Sequence, residues 1–111
     1  MKKMAKKVLM PLDFSTYSQQ MFKIIPELQQ LGLEELLLAH VVKIKGDGAE
    51  DIRPAKKLFL EMSEKYINEA RKNEIEVSTR VCLGMPSEEI CRLAISEACD
   101  MIVIGSTGEG S

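Results

Sequence analysis

Short continuous apolar runs alternate along this chain with segments in which apolar residues recur at helical spacing. The runs at residues 8–12 and 36–42 are almost uninterrupted, which predicts strands that are buried on both faces of a sheet. Residues 75–81 alternate strictly between apolar and polar side chains, and this pattern predicts an edge strand with one face toward water. A further apolar run at residues 101–104 predicts the last strand.

The first interval between strands is predicted to form a helix over residues 16–31, where apolar residues recur at spacings of four and three. Thr16 begins a capping box, and Gly32 is placed to end the helix. Pro26 lies inside this segment. Because an interior proline removes a backbone hydrogen bond and clashes one turn back, we expect a kink or a break near Ile25.

Two more helices are predicted from the same kind of spacing. The second covers residues 54–72, and the third begins at Pro86, whose fixed φ suits the first helical turn. The inward face of the second helix is predicted to consist of Phe59, Met62, Tyr66 and Ala70. That of the third is predicted to consist of Ile90, Leu93, Ala94 and Ala98.

Strands that alternate with helices indicate an α/β fold with an open parallel sheet and helices on both of its faces. The chain has 111 residues, so we expect one domain over residues 1–111. In open parallel sheets, ligands bind beyond the carboxyl ends of the strands, where the strand order reverses. The residues that follow each strand are therefore the candidates for function.

Two of these strand ends carry candidate chemistry. Asp13 follows the first strand, and it suits either a ribose hydroxyl and a phosphate-bound metal or a turn and helix cap. Gly105 and Gly108 follow the last strand with Ser106 and Thr107 between them. This Gly-x-x-Gly can present backbone N–H groups to a phosphate, or it can be an ordinary turn. It is not a Walker A motif, because no Gly-Lys-Ser/Thr follows it.

The remaining reactive side chains do not indicate catalysis. His40 is the single histidine of the chain, and without a His/Asp/Glu cluster in the sequence we interpret it as a bonded, half-buried strand residue. The cysteines Cys82, Cys91 and Cys99 show no C-x-x-C spacing. We interpret them as small buried apolar residues in a reducing compartment, which is the cytoplasm.

The composition argues against a nucleic-acid or membrane surface. Apolar residues make up 45% of the chain, and the formal net charge is −2 with both signs mixed along the sequence. A nucleic-acid surface would need a basic stripe. No apolar run approaches the roughly 20 residues of a membrane span. Neither nucleic acid nor membrane is therefore expected as a partner.

Four segments, taken in order, resemble the universal stress protein family. Residues 8–15 resemble its first strand, which ends in Pro, then Asp and Ser, and residues 37–42 resemble its second strand with a His-Val pair. Residues 84–90 resemble its Gly-x-Pro turn into the third helix, and residues 100–108 resemble its fourth strand and glycine loop. The match covers nearly the whole chain and is specific as a set.

This resemblance implies a Rossmann-like fold of the adenine nucleotide alpha hydrolase type, with the strand order 3-2-1-4-5. Members that bind ATP continue after Gly-x-x-Gly into a second phosphate-binding element, which here would fall beyond Ser111. The sequence therefore looks truncated, with order 3-2-1-4 and the family's fifth strand missing. We expect the edge of the fourth strand to be exposed, so that the chain either associates with another chain through this edge or needs the missing tail.

The resemblance also implies the site. ATP with Mg²⁺ would place its adenine at the backbone of Val41, and its ribose and metal near Pro11 and Asp13. The phosphates would lie on Gly105, Ser106, Thr107 and Gly108.

Two functions are compatible with these observations. The first is an ATP-binding stress-response regulator, a cytoplasmic homo-oligomer with no catalytic residues and at most weak ATP hydrolysis. The alternative is a dimerisation or interaction module of the same fold that binds no nucleotide. A receiver-type phosphoacceptor at Asp13 is disfavoured, because that chemistry needs several carboxylates around a metal.

Overall fold

The structure, a computed structural model, describes residues 5–12, 18–44 and 51–104, with the backbone alone for residues 18–22. Strands and helices alternate along the described chain. They are β1 (Lys7–Pro11), α1 (Ser18–Gln30), β2 (Glu35–Val42), α2 (Arg53–Lys72), β3 (Glu76–Leu83), α3 (Pro86–Ser96) and β4 (Met101–Ile102).

The strands form one parallel sheet in the order β3-β2-β1-β4. β1 lies between β2 and β4, with Val8 opposite both Leu36 and Met101. β3 pairs with β2 along all eight of its residues and lies at the edge of the sheet. The α/β fold, the strand order 3-2-1-4 and the edge position of the third strand are therefore confirmed.

Two apolar clusters cover the two faces of the sheet. The larger joins alternate residues of β1 and β2, such as Met10 and Leu38, to Leu28 of α1 and Phe59 of α2. The smaller cluster lies on the opposite face, where α3 packs. It consists of Leu9, Leu37 and Ala39, with Ile90, Leu93, Ala94 and Cys99 against them. Burial on both faces explains why the first two strands read as unbroken apolar runs.

Of the kink or break predicted near Ile25, the break is wrong, and the kink stays a prediction. The helix runs through Pro26, which points to solvent, while Ile25 and Leu28 are buried in the larger cluster. Packing of this inward face holds the helix together despite the backbone hydrogen bond that the proline cannot donate. The predicted cap at Thr16 lies outside the described residues.

Gly32 follows the last residues of α1 and stops the helix, as predicted. Its φ is 102°, in the region where a side chain is strained, and the Leu33 N–H donates to the Leu28 carbonyl over 3.1 Å. This left-handed stop turns the chain directly toward β2.

The predicted inward faces of α2 and α3 each differ from the structure at one position. In α2, Met62 is 43% exposed and Ser63 is buried in its place, whereas Phe59, Tyr66 and Ala70 are buried as predicted. In α3, Ala98 lies beyond the end of the helix with φ 54° and is exposed. Cys99, one residue later, packs against the smaller cluster instead.

Candidate functional site

The strand order reverses between β1 and β4. From β1 the sheet grows through β2 to β3 on one side, and the chain then returns to add β4 on the other side. The Val103 N–H donates to the Leu9 carbonyl over 2.9 Å, so the two segments stay paired beyond the short β4. Asp13 follows Leu12 in the sequence, and Gly105 follows Ile104. The structure thus brings the strands that precede these candidates side by side.

Five of the predicted site residues lie outside the described residues. They are Asp13, Gly105, Ser106, Thr107 and Gly108. Their contacts with each other and with a ligand stay a prediction.

Pro11 and Val41 lie at the same edge of the sheet on neighbouring strands. Pro11 is the last residue of β1 and pairs with Ala39, two residues before Val41 on β2. Both residues are half-buried, and strand alternation places them on the face that carries Leu9 and Ala39. The structure therefore brings together the two described residues of the predicted site.

His40 holds the chain where it leaves β1. Its Nδ1 lies 2.9 Å from the Leu12 carbonyl oxygen, and because a carbonyl only accepts, Nδ1 carries the hydrogen and donates. The imidazole also stacks on Phe59, with ring centroids 5.6 Å apart and an interplanar angle of 21°. The interpretation of His40 as a bonded strand residue is confirmed. This contact to Leu12, the residue before Asp13 in the sequence, is one that a sequence pattern does not reveal.

The end of β3 is shaped by Gly84. Its φ is 154°, and its N–H donates to the Val42 carbonyl over 2.9 Å. A Cβ at this position would lie 2.8 Å from Cγ of Glu89. Only glycine therefore lets the Glu89 side chain fold back over the turn, where it forms an ion pair with Arg92 at 2.8 Å.

The N-terminus of α3 already carries negative charge. Glu88 and Glu89 lie in its first turn, where they complement the helix dipole. This helix end therefore does not offer an anion site.

The three cysteines are free thiols. Burial raises the pKa of Cys82, with the Glu89 carboxylate adding to the shift, and burial likewise raises the pKa of Cys99. These two half-buried thiols are protonated at neutral pH and poorly nucleophilic. Cys91 is exposed on α3, so the prediction that all three are buried is wrong for this residue.

Neither a metal cluster nor a membrane helix is found in the described part of the chain. Among residues 5–12, 18–44 and 51–104, no group of three or more His, Cys, Asp or Glu side chains could hold a metal ion. Within the same ranges, none of the helices combines the length and the hydropathy needed to cross a bilayer.

Comparison with known proteins gives one consistent family. A sequence model of the universal stress protein family matches residues 4–111. Universal stress protein MJ0577 of Methanocaldococcus jannaschii is 29% identical over 128 residues, which cover 96% of this chain and 79% of the relative. The solved structure of MJ0577 superposes with a TM-score of 0.61 at 32% identity, covering 89% of this chain and 73% of that one.

A more distant structure shares the fold. It is a universal stress protein family protein from Arabidopsis thaliana solved with AMP bound, and it superposes with a TM-score of 0.63 at 19% identity. The superposition covers 96% of this chain and 79% of the plant protein.

Proposed function

Because this chain belongs to the universal stress protein family, we propose that it binds an adenine nucleotide, ATP with Mg²⁺, where the strand order reverses between β1 and β4. In this proposal the domain is a stress-response regulator, and ATP hydrolysis is weak at most. In this proposal the protein responds mainly to whether the nucleotide is bound, and it hydrolyses little of it.

The observation that carries the proposal is the pairing of β1 with β4. Their pairing places the ends of two strands side by side, and the segments that follow these strands in the sequence begin with Asp13 and with Gly105-Ser-Thr-Gly108. Open parallel sheets bind ligands at this place. The AMP bound to the plant protein of the same fold supports an adenine nucleotide as the ligand class.

The donor chemistry fits a magnesium nucleotide. A carboxylate such as that of Asp13 is a preferred ligand of Mg²⁺ and also bonds ribose hydroxyls. Glycines at 105 and 108 leave the backbone N–H groups open to phosphate oxygens, with the hydroxyls of Ser106 and Thr107 as further donors. The contact from His40 to the Leu12 carbonyl supports the proposal, because it holds the residue that directly precedes Asp13.

The adenine is assigned to the neighbouring strand. In the proposal it lies at the backbone of Val41, next to Pro11, on the edge where β2 extends past β1. Backbone N–H and C=O groups beyond a strand end suit the hydrogen-bonding edge of adenine and provide selectivity over guanine.

Calorimetric titration tests the proposal. Mg-ATP and AMP are titrated into the protein, with Mg-GTP as the comparison ligand, and we expect saturable binding of the adenine nucleotides. Gly108→Val should weaken ATP binding by about tenfold or more, because its side chain blocks the approach of phosphate to the backbone. Gly110→Val is the matched control outside the Gly-x-x-Gly and should bind as the unaltered protein does.

Two results would contradict the proposal. Equal affinity of the Gly108→Val and Gly110→Val variants would place the nucleotide elsewhere. A folded protein that takes up neither ATP nor AMP would instead be an interaction module of the same fold.

We further propose one domain over residues 1–111, a cytoplasmic location and a homo-oligomeric state. The free thiols Cys82, Cys91 and Cys99 support a reducing compartment.

A further inference from the structure

His40 is the polar member of an otherwise apolar row on β2. Leu36 and Leu38 point to the side of the sheet that α2 covers, and both are buried in the larger cluster. His40 continues this row by strand alternation, and its imidazole stacks on Phe59 of α2. Burial of a polar ring costs free energy unless the ring is hydrogen-bonded. The hydrogen bond that this ring makes is therefore the feature that explains its place in the row.

That hydrogen bond lies just beyond the last paired residue of β1. The pairing of β1 with β2 ends at Pro11, which lies opposite Ala39. The Leu12 N–H donates to the Ala39 carbonyl over 2.7 Å, and the Leu12 carbonyl accepts from His40 Nδ1 over 2.9 Å. A side chain of β2 thus continues the pairing by one more hydrogen bond, and β2 holds Leu12 at both its N–H and its carbonyl.

The Leu12 carbonyl shares a rigid group with the next residue. A peptide unit is planar, and it contains the carbonyl carbon and oxygen of one residue together with the nitrogen and Cα of the next. The plane that begins at the Leu12 carbonyl therefore ends at Cα of Asp13. A donor that fixes this carbonyl oxygen also sets the direction in which the chain enters Asp13.

We propose that His40 is a positioning residue of the nucleotide site, an inference that rests on the proposed function. Its Nδ1–H holds the Leu12–Asp13 peptide plane in the orientation that lets the Asp13 carboxylate meet the Mg²⁺ and the ribose of ATP. Phe59 in turn holds the imidazole by stacking. His40 acts through this peptide and does not contact the nucleotide.

His40 also joins the two halves of the proposed site. Val41, whose backbone is assigned to the adenine, is the next residue on β2, whereas Leu12 leads from β1 to Asp13. One side chain therefore ties the strand of the adenine position to the peptide that precedes the carboxylate. Preorganisation of this kind raises affinity, because less conformational freedom is lost on binding.

Two substitutions separate the hydrogen bond from the packing. His40→Phe keeps an aromatic ring against Phe59 and removes the donor, and we expect it to weaken Mg-ATP binding roughly tenfold. His40→Asn places an amide nitrogen at the position of Nδ1, since both atoms are bonded to Cγ, and should recover most of the affinity. Ile75→Val is the control. Ile75 is buried directly before β3, at the opposite edge of the sheet, so this variant should lower stability and leave the affinity unchanged.

The dependence of ATP affinity on Mg²⁺ distinguishes positioning from a general structural role. Calorimetric titrations are run with Mg²⁺ and with EDTA, and the unaltered protein should bind ATP more tightly with Mg²⁺. His40→Phe should lose much of this gain, because the Asp13 carboxylate is no longer held toward the metal. Asp13→Asn should lose it as well. Adding His40→Phe to Asp13→Asn should weaken binding by no more than about twofold further, since both changes act through the same carboxylate.

A signal from the ligand-free protein reports the contact itself. The backbone amide of Asp13 lies in the peptide plane that accepts the hydrogen bond, so its amide nitrogen chemical shift is sensitive to that bond. In heteronuclear NMR spectra this shift should move in His40→Phe, return toward its original value in His40→Asn and stay unchanged in Ile75→Val.

The inference is overturned if His40→Phe binds Mg-ATP within about twofold of the unaltered protein. It is also overturned if His40→Asn binds as weakly as His40→Phe, which would make the imidazole ring, and not its donor, the essential part. In both cases the unaltered protein still binds the nucleotide, so the proposed function stands. A folded unaltered protein that binds neither ATP nor AMP would contradict the proposed function, and the role of His40 with it.

Discussion

At the scale of single residues, Ser63 is the least satisfied side chain of the described core. It is 1% exposed on the inward face of α2, and its Oγ has no hydrogen-bond partner there. A buried hydroxyl without a partner destabilises the fold, and alanine also has the higher helix propensity. We therefore expect Ser63→Ala to raise the free energy of unfolding by about 1 kcal/mol.

Urea denaturation measures this change. Ser87→Ala, at an exposed site of α3, is the control for helix propensity alone. A Ser63→Ala variant less stable than the unaltered protein would mean that the hydroxyl is bonded and contributes to stability.

The thiols differ in exposure and ionisation. Cys91 is exposed, whereas burial raises the pKa of Cys82 and of Cys99 above their ordinary value of 9.0. Because the thiolate is the nucleophile, alkylation of Cys82 and Cys99 should be slow at neutral pH. Their rates should rise about tenfold per pH unit until the pH passes the raised pKa values.

Mass spectrometry after timed iodoacetamide treatment follows each site. Cys91 should be labelled first, and Cys91→Ser should remove the fast phase alone. Labelling of Cys82 or Cys99 at the rate of Cys91 at pH 7 would contradict the burial of these thiols in the structure.

At the scale of elements, α1 contains a proline that lowers the stability of the helix. Pro26 is exposed in the middle of the helix, and its ring nitrogen cannot donate to the carbonyl one turn earlier. Pro26→Ala restores that donor without touching the core, and we expect a gain of about 1–3 kcal/mol in the free energy of unfolding.

Thermal and urea unfolding check this prediction. Lys23→Ala, at another exposed position of the same helix, should change stability by a few tenths of a kcal/mol. A loss of stability in Pro26→Ala would show that the proline holds a bend that the packing of α1 requires.

The first two strands were predictable because burial on both faces of the sheet requires a continuous apolar run, and the helices were predictable from their helical spacing. The errors arose where spacing alone is ambiguous. Positions 62 and 63 both follow Phe59 at helical spacing, and hydrophobicity favoured Met62, whereas the rotation of α2 on the sheet buries Ser63. Ala98 continued the apolar pattern of α3, but the helix had ended and the chain turned at positive φ.

The periodicity of apolar residues does not reveal which strands pair with each other. The order 3-2-1-4 came from the resemblance to a family, because an apolar run does not say which neighbour it will have. The contact between His40 and the Leu12 carbonyl could not be predicted from the sequence either, since the two residues are 28 positions apart. Asp13 and a Gly-x-x-Gly suit turns as well as ligands, so the sequence alone left both uses open.

At the scale of the whole molecule, the proposed nucleotide site lies at the carboxyl edge of the sheet, where the strand order reverses between β1 and β4. These two strands are neighbours in the sheet, so the strand ends that precede Asp13 and Gly105 in the sequence lie side by side.

Nucleotide occupancy is the central claim, and native mass spectrometry of the purified protein tests it most directly. Spectra are recorded at gentle activation, first without added ligand and then after addition of Mg-ATP. The account predicts an adduct at the mass of ATP or AMP, one for each chain, that is lost in Gly108→Val and kept in Gly110→Val. A folded protein without any adduct in excess Mg-ATP would contradict it.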